Sequence, residues 1–570
     1  MNILVLNGSP RPKGHTKTMV SAFEKGATDA GHTVKVIDVC RKNIKGCLAC
    51  EYCHTKGNYN CVQKDDMQEV YDALREANLL VLASPIYYHN LSGQLKCVID
   101  RFYATGERAL LPKLKQVAMF LASGDEDIYD GALYSLKGDF EDFLGLENIG
   151  VFTVHGEEEV SEEKKQELYE FGRNLKEVIF MNDFIFHNPD KVYFGKNQFT
   201  HLAEEVSKYG KKVLMVYGGG SIKKNGLYGQ VTKLLTEKGL ELFELAGVEP
   251  NPRHTTVDRG AEICKQEGID VVLAVGGGST IDCSKGIAAA AKTEDGKVWP
   301  LVEENVWVTD ALPIIAILTN AATGSEMDAW AVISNMDVNV KIGIGGDALI
   351  PKAAFENPEL TYSLPAYQTA CGAFDIFNHV LDNYYLAGDA TFDMVLEMQE
   401  AVMRAVVKWT PVALAKPANY EARANLMWAS SMALNTILDA GTVHAPACHA
   451  MEHELSAYYD ITHGHGLAIV TPRWLTYILD ESTAPAIYRL GTHVFGVEAG
   501  LDPIDGAKKA IEAVEHFAFD VLGLKKTLTE LNIGEEHFAD MAKHASMGAF
   551  IPGIKNLKQE DIVAIYKMCL

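Results

Sequence analysis

Five of the chain's 18 histidines fall within one short window: His444, His449, His453, His463 and His465. At the chain's average frequency that window would hold about 0.7 of them. Upstream, in GAFDIFNHVLDNYY, Asp375 and His379 are four residues apart in a segment of helical periodicity. That spacing puts a carboxylate and an imidazole on one helix face, one turn apart. Clustered imidazoles joined to such a pair suit a divalent metal such as iron or zinc, whereas a lone histidine is more simply a hydrogen-bonded core or surface residue.

Other stretches suit anions and thiolate chemistry. Two glycine turns end apolar strands, in KKVLMVYGGGSIKKNG and in VVLAVGGGSTIDCSKGIAAAA. Neither is G-x-G-x-x-G, but side-chain-free residues at a helix start let a backbone approach a pyrophosphate. Near the N-terminus the strand NILVLN runs into GSPRPKGHT, whose backbone N–H groups, hydroxyls and arginine make a phosphate cradle. Two further strands, LLVLASP and VAMFLAS, end in IYYHN and GDEDIYDG. Ligands of an open α/β sheet sit beyond the carboxyl ends of its strands, so these three loops are candidates for one site. GCLACEYCHTKGNYNC spaces Cys47, Cys50, Cys53 and Cys61 as C-x2-C-x2-C-x7-C. Such thiolates suit an iron–sulfur cluster or zinc, with free thiols the alternative. No serine or cysteine nucleophile stands in a triad context.

The elements that must position these groups come in three blocks. Residues 1–180 alternate strand and helix, which implies a parallel sheet wrapped by helices. SEEKKQELYEFGRNLKEVIF reads as that domain's amphipathic closing helix, and the short MNDF junction leads to a second α/β block over 184–365. Residues 366–570 give long amphipathic helices, such as EARANLMWASSMALNTILDA, and an all-helical half. Acids outnumber bases 76 to 52, a net charge of −24, which argues against nucleic-acid or anionic-membrane partners. No apolar run approaches membrane-spanning length, and the N-terminus lacks a signal-peptide layout, so a cytoplasmic protein is expected. The six cysteines outside the window from Cys40 to Cys61 read as small buried hydrophobes.

DxxxH followed by EHELSAYYDITHG resembles the iron-containing (group III) alcohol dehydrogenases, in their butanol dehydrogenase-like branch, over about residues 184–570. The resemblance implies Asp375, His379, His453 and His463 as ligands of Fe2+ or Zn2+, with His449 near the site but off the metal. His465 it leaves open, as a further donor, a substitute ligand or a residue facing the cleft. It assigns Gly277, Gly278 and Ser279 to the dinucleotide pyrophosphate, with Asp282 nearby. Thr319, Thr323, Ser325 and Lys341 would reach the nicotinamide half, and Gly218, Gly219 and Ser221 the adenosine ribose. In residues 1–179, GSPR-x-x-G-x-T with SPIYY-x-x-x-SGQLKxxIDR resembles the flavodoxin-like NADPH-dependent FMN reductases. By that match Ser9, Arg11, Thr16 and Thr18 would hold the FMN phosphate, Pro85, Ile86, Tyr87 and Tyr88 would line the flavin ring, and Ser123 and Gly124 would supply the third loop. The cysteine run is similar to that of the iron–sulfur flavoproteins, which implies a 4Fe–4S cluster.

Together these imply a metal-dependent, NAD(P)H-linked alcohol or aldehyde oxidoreductase, homo-oligomeric, fused to a flavin-binding redox domain. Two other readings remain open. One is an NAD(P)H:flavin or iron–sulfur electron-transfer enzyme with the dehydrogenase half as hydride donor. The other is a dehydrogenase carrying a non-catalytic redox sensor. On cofactor choice, the turn from Tyr217 to Lys224 holds no acid, offers the Ser221 hydroxyl and has two lysines close by. NADPH is therefore expected to be accepted, with solvent-facing lysines and use of either dinucleotide as the alternative.

Overall fold

Five strands within the first 155 residues pair into one parallel sheet in a computed structural model that describes residues 1–57, 59–105, 110–111, 113–156, 159–175, 184–388 and 392–570. They are β1 (Asn2–Asn7), β2 (Thr33–Asp38), β3 (Leu79–Pro85), β4 (Gln116–Ser123) and β5 (Glu147–His155), in the order β2-β1-β3-β4-β5. β1, β3 and β4 are buried along nearly their whole length, as expected of a parallel sheet covered on both faces. One face takes the helices His15–Asp29 and Glu162–Arg173, the latter capped by the Ser161 hydroxyl. These two helices touch where Gly26 and Gly172 remove the side chain. A Cβ on Gly26 would sit 1.9 Å from the Tyr169 carbonyl oxygen, and one on Gly172 2.5 Å from that of Phe23. The strand order reverses between β1 and β3, the switch point at which ligands of such sheets bind.

The described residues divide into two compact units, Met1–Phe180 and Met181–Leu570. The expected junction near residues 180–184 lies, Phe184 apart, outside the described residues, as does the end of the expected closing helix.

The second unit is built on a six-stranded parallel sheet. Its strands are β6 (Val192–Phe194), β7 (Lys212–Tyr217), β8 (Glu241–Ala246), β9 (Val271–Gly276), β10 (Ile314–Leu318) and β13 (Ala353–Glu356), in the order β6-β13-β10-β9-β7-β8. β11 (Trp330–Asn335) and β12 (Val340–Gly345) form an antiparallel hairpin beside it, with Ser334 opposite Lys341. The remainder is helical, including Ala366–Val380, Asp393–Ala415, Tyr420–Leu434, Ala447–Tyr459 and His463–Ile478 around one large apolar core. The small ribbon β14 (Phe550–Ile551) and β15 (Leu557–Lys558) is an exception to the all-helical expectation.

Polar bridges join the helical half to the sheet half. Asp460, the left-handed C-cap of the Ala447–Tyr459 helix, accepts from Asn251 Nδ2 at 3.0 Å and lies 2.8 Å from the Arg253 guanidinium. Ser431 of the Tyr420–Leu434 helix stands between two buried carboxylates, 2.7 Å from Glu326 and 3.1 Å from Glu356. No helix among the described residues is long and apolar enough to cross a membrane.

Candidate metal centre and nucleotide loops

The centre is made by three helices packed unusually close. Gly464 lies against the Ala366–Val380 helix, where a Cβ would stand 2.0 Å from the Cys371 carbonyl oxygen, and a Cβ on Gly466 would meet Glu452 Cγ at 2.7 Å. The two glycines of THGHG thus let the His463–Ile478 helix approach until His463 Nε2 is 3.5 Å from Asp375 Oδ1. His379 Nδ1 is 3.5 Å from the same oxygen, as the one-turn spacing requires.

Ligand atoms of Asp375, His379, His449 and His463 all lie within 4.8 Å of one another. His453 falls in a second group, with Glu452 and His463. The structure therefore places His449 where the resemblance had placed His453. The two histidines are one turn apart on one helix, so spacing cannot separate them; Asp382 does. Its carboxylate accepts from the backbone N–H groups of Cys448 and His449 at 2.9 Å and from His449 Nδ1 at 3.0 Å. That bond leaves the His449 Nε2 lone pair facing the site. Asp382 lies in the π-helical turn Leu381–Tyr385 that prolongs the Asp375 helix, and no sequence pattern ties it to His449.

Three buried atoms here have no hydrogen-bond partner: Asp375 Oδ1, His379 Nδ1 and His449 Nε2. Unsatisfied buried polar atoms are costly, and three converging on one point fit a bound cation. Burial, with the charge of Glu452, pushes the Asp375 carboxyl well up. Burial holds His379, His453 and His463 well below the usual imidazole range and His449 down at about 3. All four rings are thus neutral, the form that ligates metal. His463 Nδ1 is bonded to Glu452, which also accepts from Ser456 Oγ. Lys341 Nζ lies 3.6 Å from Glu452 and 3.5 Å from His463 Nδ1. Lys341, expected at the nicotinamide, thus stands at the edge of the metal group. His465 faces away, its Nε2 donating to the Lys525 carbonyl at 3.1 Å and its Nδ1 3.0 Å from Tyr367 Oη.

Of the nucleotide residues, Gly277 and Gly278 open the helix Gly278–Ala290, and their backbone fits against the loop after β10. A Cβ on Gly278 would meet Thr323 Oγ1 at 2.3 Å and one on Gly277 Asn320 Cβ at 3.0 Å. Thr319 N–H bonds the Gly276 carbonyl at 2.9 Å. Ser279 lies in this helix's first turn. Ser325 donates to Asp282 at 2.6 Å, and Asp282 also accepts from Val332 N–H, so this pair fastens the loop to the helix. At the first turn, Cβ atoms on Gly219 and Gly220 would meet nothing within 4 Å, which leaves the backbone before Ser221 open to a ligand.

In the first unit, Ser9, Arg11, Pro85, Ile86, Ser123 and Gly124 follow or end β1, β3 and β4, at the carboxyl edge of the sheet. Thr16 is buried. Thr18 bonds the Gly14 carbonyl at 3.3 Å, and Ser123 donates to Asp125 O while lying 2.7 Å from Tyr129 Oη. Both hydroxyls are thus turned to their own chain. Tyr87 and Asn90 close a tight turn whose central residues, Tyr88 and His89, are left-handed at φ 48° and 60°. Tyr88 is fully exposed there, a strained and solvated aromatic of the kind found at binding loops. Cys47, Cys50, Cys53 and Cys61 line one cavity beside Arg101 and Tyr103. Among the described residues, none of the groups that close to within 4.8 Å contains a cysteine.

Comparison with known proteins gives the family of each part of the chain. Residues 189–358 match the iron-containing alcohol dehydrogenases and residues 369–570 the C-terminal domain of that family. Residues 1–158 match the NADPH-dependent FMN reductases. NADH-dependent butanol dehydrogenase A of Clostridium acetobutylicum is 45% identical over 389 residues, which cover 68% of this chain and 99% of that protein. The NADPH-dependent aldehyde reductase of Escherichia coli is 34% identical over 62% of this chain and 90% of its own length. The crystal structure of a butanol dehydrogenase A from Thermotoga maritima superposes with a TM-score of 0.65 at 38% identity, covering 68% of this chain and 99% of the other. The chain belongs to the iron-containing alcohol dehydrogenase family and carries an FMN reductase-like domain at its N-terminal end.

Proposed function

We propose that this chain interconverts small alcohols and aldehydes with a nicotinamide dinucleotide and a divalent metal, butanol and butyraldehyde being the first substrates to test. The observation that carries the reading is the convergence of Asp375 Oδ1, His379 Nδ1 and His449 Nε2, unpaired and buried, beside the His463 ring. Asp375, His379, His449 and His463 would hold Fe2+ or Zn2+. When bound, the metal supplies Lewis acidity to a carbonyl or hydroxyl oxygen, and the dinucleotide supplies or accepts hydride.

The chain's own residues do the rest. Asp382 keeps the proton of His449 on Nδ1. Glu452 takes up His463 Nδ1 on the side away from Asp375, and Lys341 offsets the buried charge of Glu452. Gly277 and Gly278 admit a pyrophosphate at the start of a 13-residue helix. The packed helices bury Asp375, His379, His449 and Glu452, and burial in a low-dielectric setting strengthens their contacts.

The first unit is proposed to bind FMN at the β1/β3 switch point, with the Ser9–Thr16 loop at the phosphate and the Tyr87–Tyr88 turn at the ring. The four cysteines line one cavity, but among the described residues none of them joins a group close enough to hold a metal, so the first unit is proposed with flavin alone. The test is anaerobic purification, followed by metal, labile-sulfide and flavin analysis and by oxidation of NADH and NADPH with butyraldehyde. A stoichiometric metal and aldehyde-dependent turnover are expected; protein that binds metal at full occupancy yet turns over no short aldehyde would overturn the reading.

A further inference from the structure

Among the described residues four lysines or arginines are buried, and three of them have an acid beside them. Arg101 lies 2.9 Å from Asp65, Lys285 2.6 Å from Asp328 and Lys341 3.6 Å from Glu452. The fourth, Arg423 of the Tyr420–Leu434 helix, is 3% exposed and forms no ion pair with any described residue. Burial lowers its guanidinium from the ordinary arginine value, and only the Tyr362 phenol pulls the other way. A buried charge left alone is costly, and buried arginines are ordinarily paired. Its bonds go to neutral oxygens: Nε donates to Pro417 O and Nη1 to Thr369 Oγ1, both at 2.9 Å. Nη2 has no hydrogen-bond partner among the described residues.

Arg423 lines a small cavity, and the other polar walls are Asn320, Thr361 and Thr369. Its volume, about 10 Å³, is that of one water-sized body. Thr361 Oγ1 is committed, donating to Pro358 O at 2.7 Å. Thr369 Oγ1 accepts from Arg423 and keeps its own proton to give. The Asn320 amide oxygen is buried and unbonded, and a half turn of that amide would offer its N–H groups instead. The walls thus supply donors and a positive charge, and no carboxylate. We infer that this cavity binds one monatomic anion, chloride in the first instance, between Arg423 and Thr369, and that the ion stiffens the joint between a nucleotide loop and the metal-bearing helix. A water would meet the free N–H but leave the charge unbalanced, and a phosphate or carboxylate is too large for the space. The joint is defined by the remaining walls. Ala321 belongs to the loop after β10, and Ala373 and Ile376 to the Ala366–Val380 helix that carries Asp375 and His379. The two are packed backbone to backbone, since a Cβ on Gly372 would stand 2.4 Å from the Ala321 carbonyl oxygen. The consequence for the dinucleotide rests on the reading above; the binding of the ion does not.

The test follows thermal unfolding of the full chain as sodium gluconate is replaced by sodium chloride at constant ionic strength, with anomalous scattering from crystals grown in bromide read alongside. About 200 mM chloride should raise Tm by about 2 °C and the rise should saturate, as expected of one site. Bromide should occupy the cavity beside Arg423. The KM for the dinucleotide should fall about two- to threefold over the same range. Arg423→Met keeps a long side chain and removes the charge. It should lose the chloride response and be at least as stable as the wild type in gluconate, which a merely structural arginine would not allow. Thr369→Val removes one donor, should weaken the response several-fold, and serves alone if Arg423→Met does not fold. An Arg423→Met variant that responds to chloride as the wild type does overturns the inference. So does a wild type with the same Tm in both salts, or bromide bound only at other places. Bromide in the cavity without a Tm response would be an adventitious ion only, and that too overturns it. If Tm and bromide behave as expected while neither dinucleotide is oxidised, the dinucleotide reading has failed and the ion site stands.

Discussion

Two histidines one helical turn apart are the finest distinction in this molecule. His449 and His453 share a face of one helix, and in HAMEHELSAYYDITHG nothing about the spacing prefers one to the other. The structure separates them through Asp382, which fixes the ring of His449, and through distance, which groups His453 with Glu452. His449→Ala should therefore lose the metal, by at least about tenfold in affinity, and with it aldehyde reduction. His453→Ala should keep near-stoichiometric metal while changing turnover. Metal analysis of both variants after dialysis settles the point, and the reverse pattern would return His453 to the ligand set. Asp375 and His379 could be paired from the chain because an i, i+4 spacing carries its own geometry, whereas the histidine cluster marked only a region, and His463 was picked out of it by the family resemblance. Asp382 could not be paired in this way, because its partner is 67 residues away.

At the scale of elements, the placing of the metal group beside the nucleotide loops depends on how the helical half is held to the sheet half. Asp460 carries a share of this, since both its carboxylate oxygens are engaged by the loop after β8, and Ser334 N–H pins that loop to the hairpin by bonding Pro252 O at 2.9 Å. The same hairpin bears Lys341. Asp460→Ala should raise KM for the dinucleotide several-fold, while circular dichroism and metal content stay as in the wild type. Asp460→Asn, which can still meet Asn251, should recover part of the loss. An unchanged KM in Asp460→Ala would mean that this bridge does not set the cleft. The order strand, glycine turn, helix was legible in both units because apolar runs and glycines announce it. The close helix contact at Gly464 was not, since a glycine before a histidine looks the same whether it faces solvent or a neighbouring backbone.

The whole molecule carries a cost at the join between the halves of its second unit. Glu326 and Glu356 are buried acids there, and the half-buried Asp190 turns in a carboxylate whose two oxygens are buried without a hydrogen-bond partner. Burial, reinforced by the charge of Glu326, pushes the Asp190 carboxyl from 3.8 up to about 8. The folded state therefore keeps this proton over a range in which the unfolded chain has released it, so stability falls as pH rises from about 4 to about 8. Asp190→Asn removes that term. The wild type should lose more thermal stability than Asp190→Asn between pH 6 and 8, by about 1–3 °C in Tm. Parallel slopes for the two proteins would count against it. Strand order has one further consequence, for the chain as the ribosome makes it. The first sheet uses strands from residues 2 to 155 only and is complete before the second unit has been synthesised. The second sheet must hold β6 open until β13 arrives at Ala353–Glu356. On stalled nascent chains, a protease-resistant first unit should therefore appear at lengths at which the dehydrogenase unit is still fully digested.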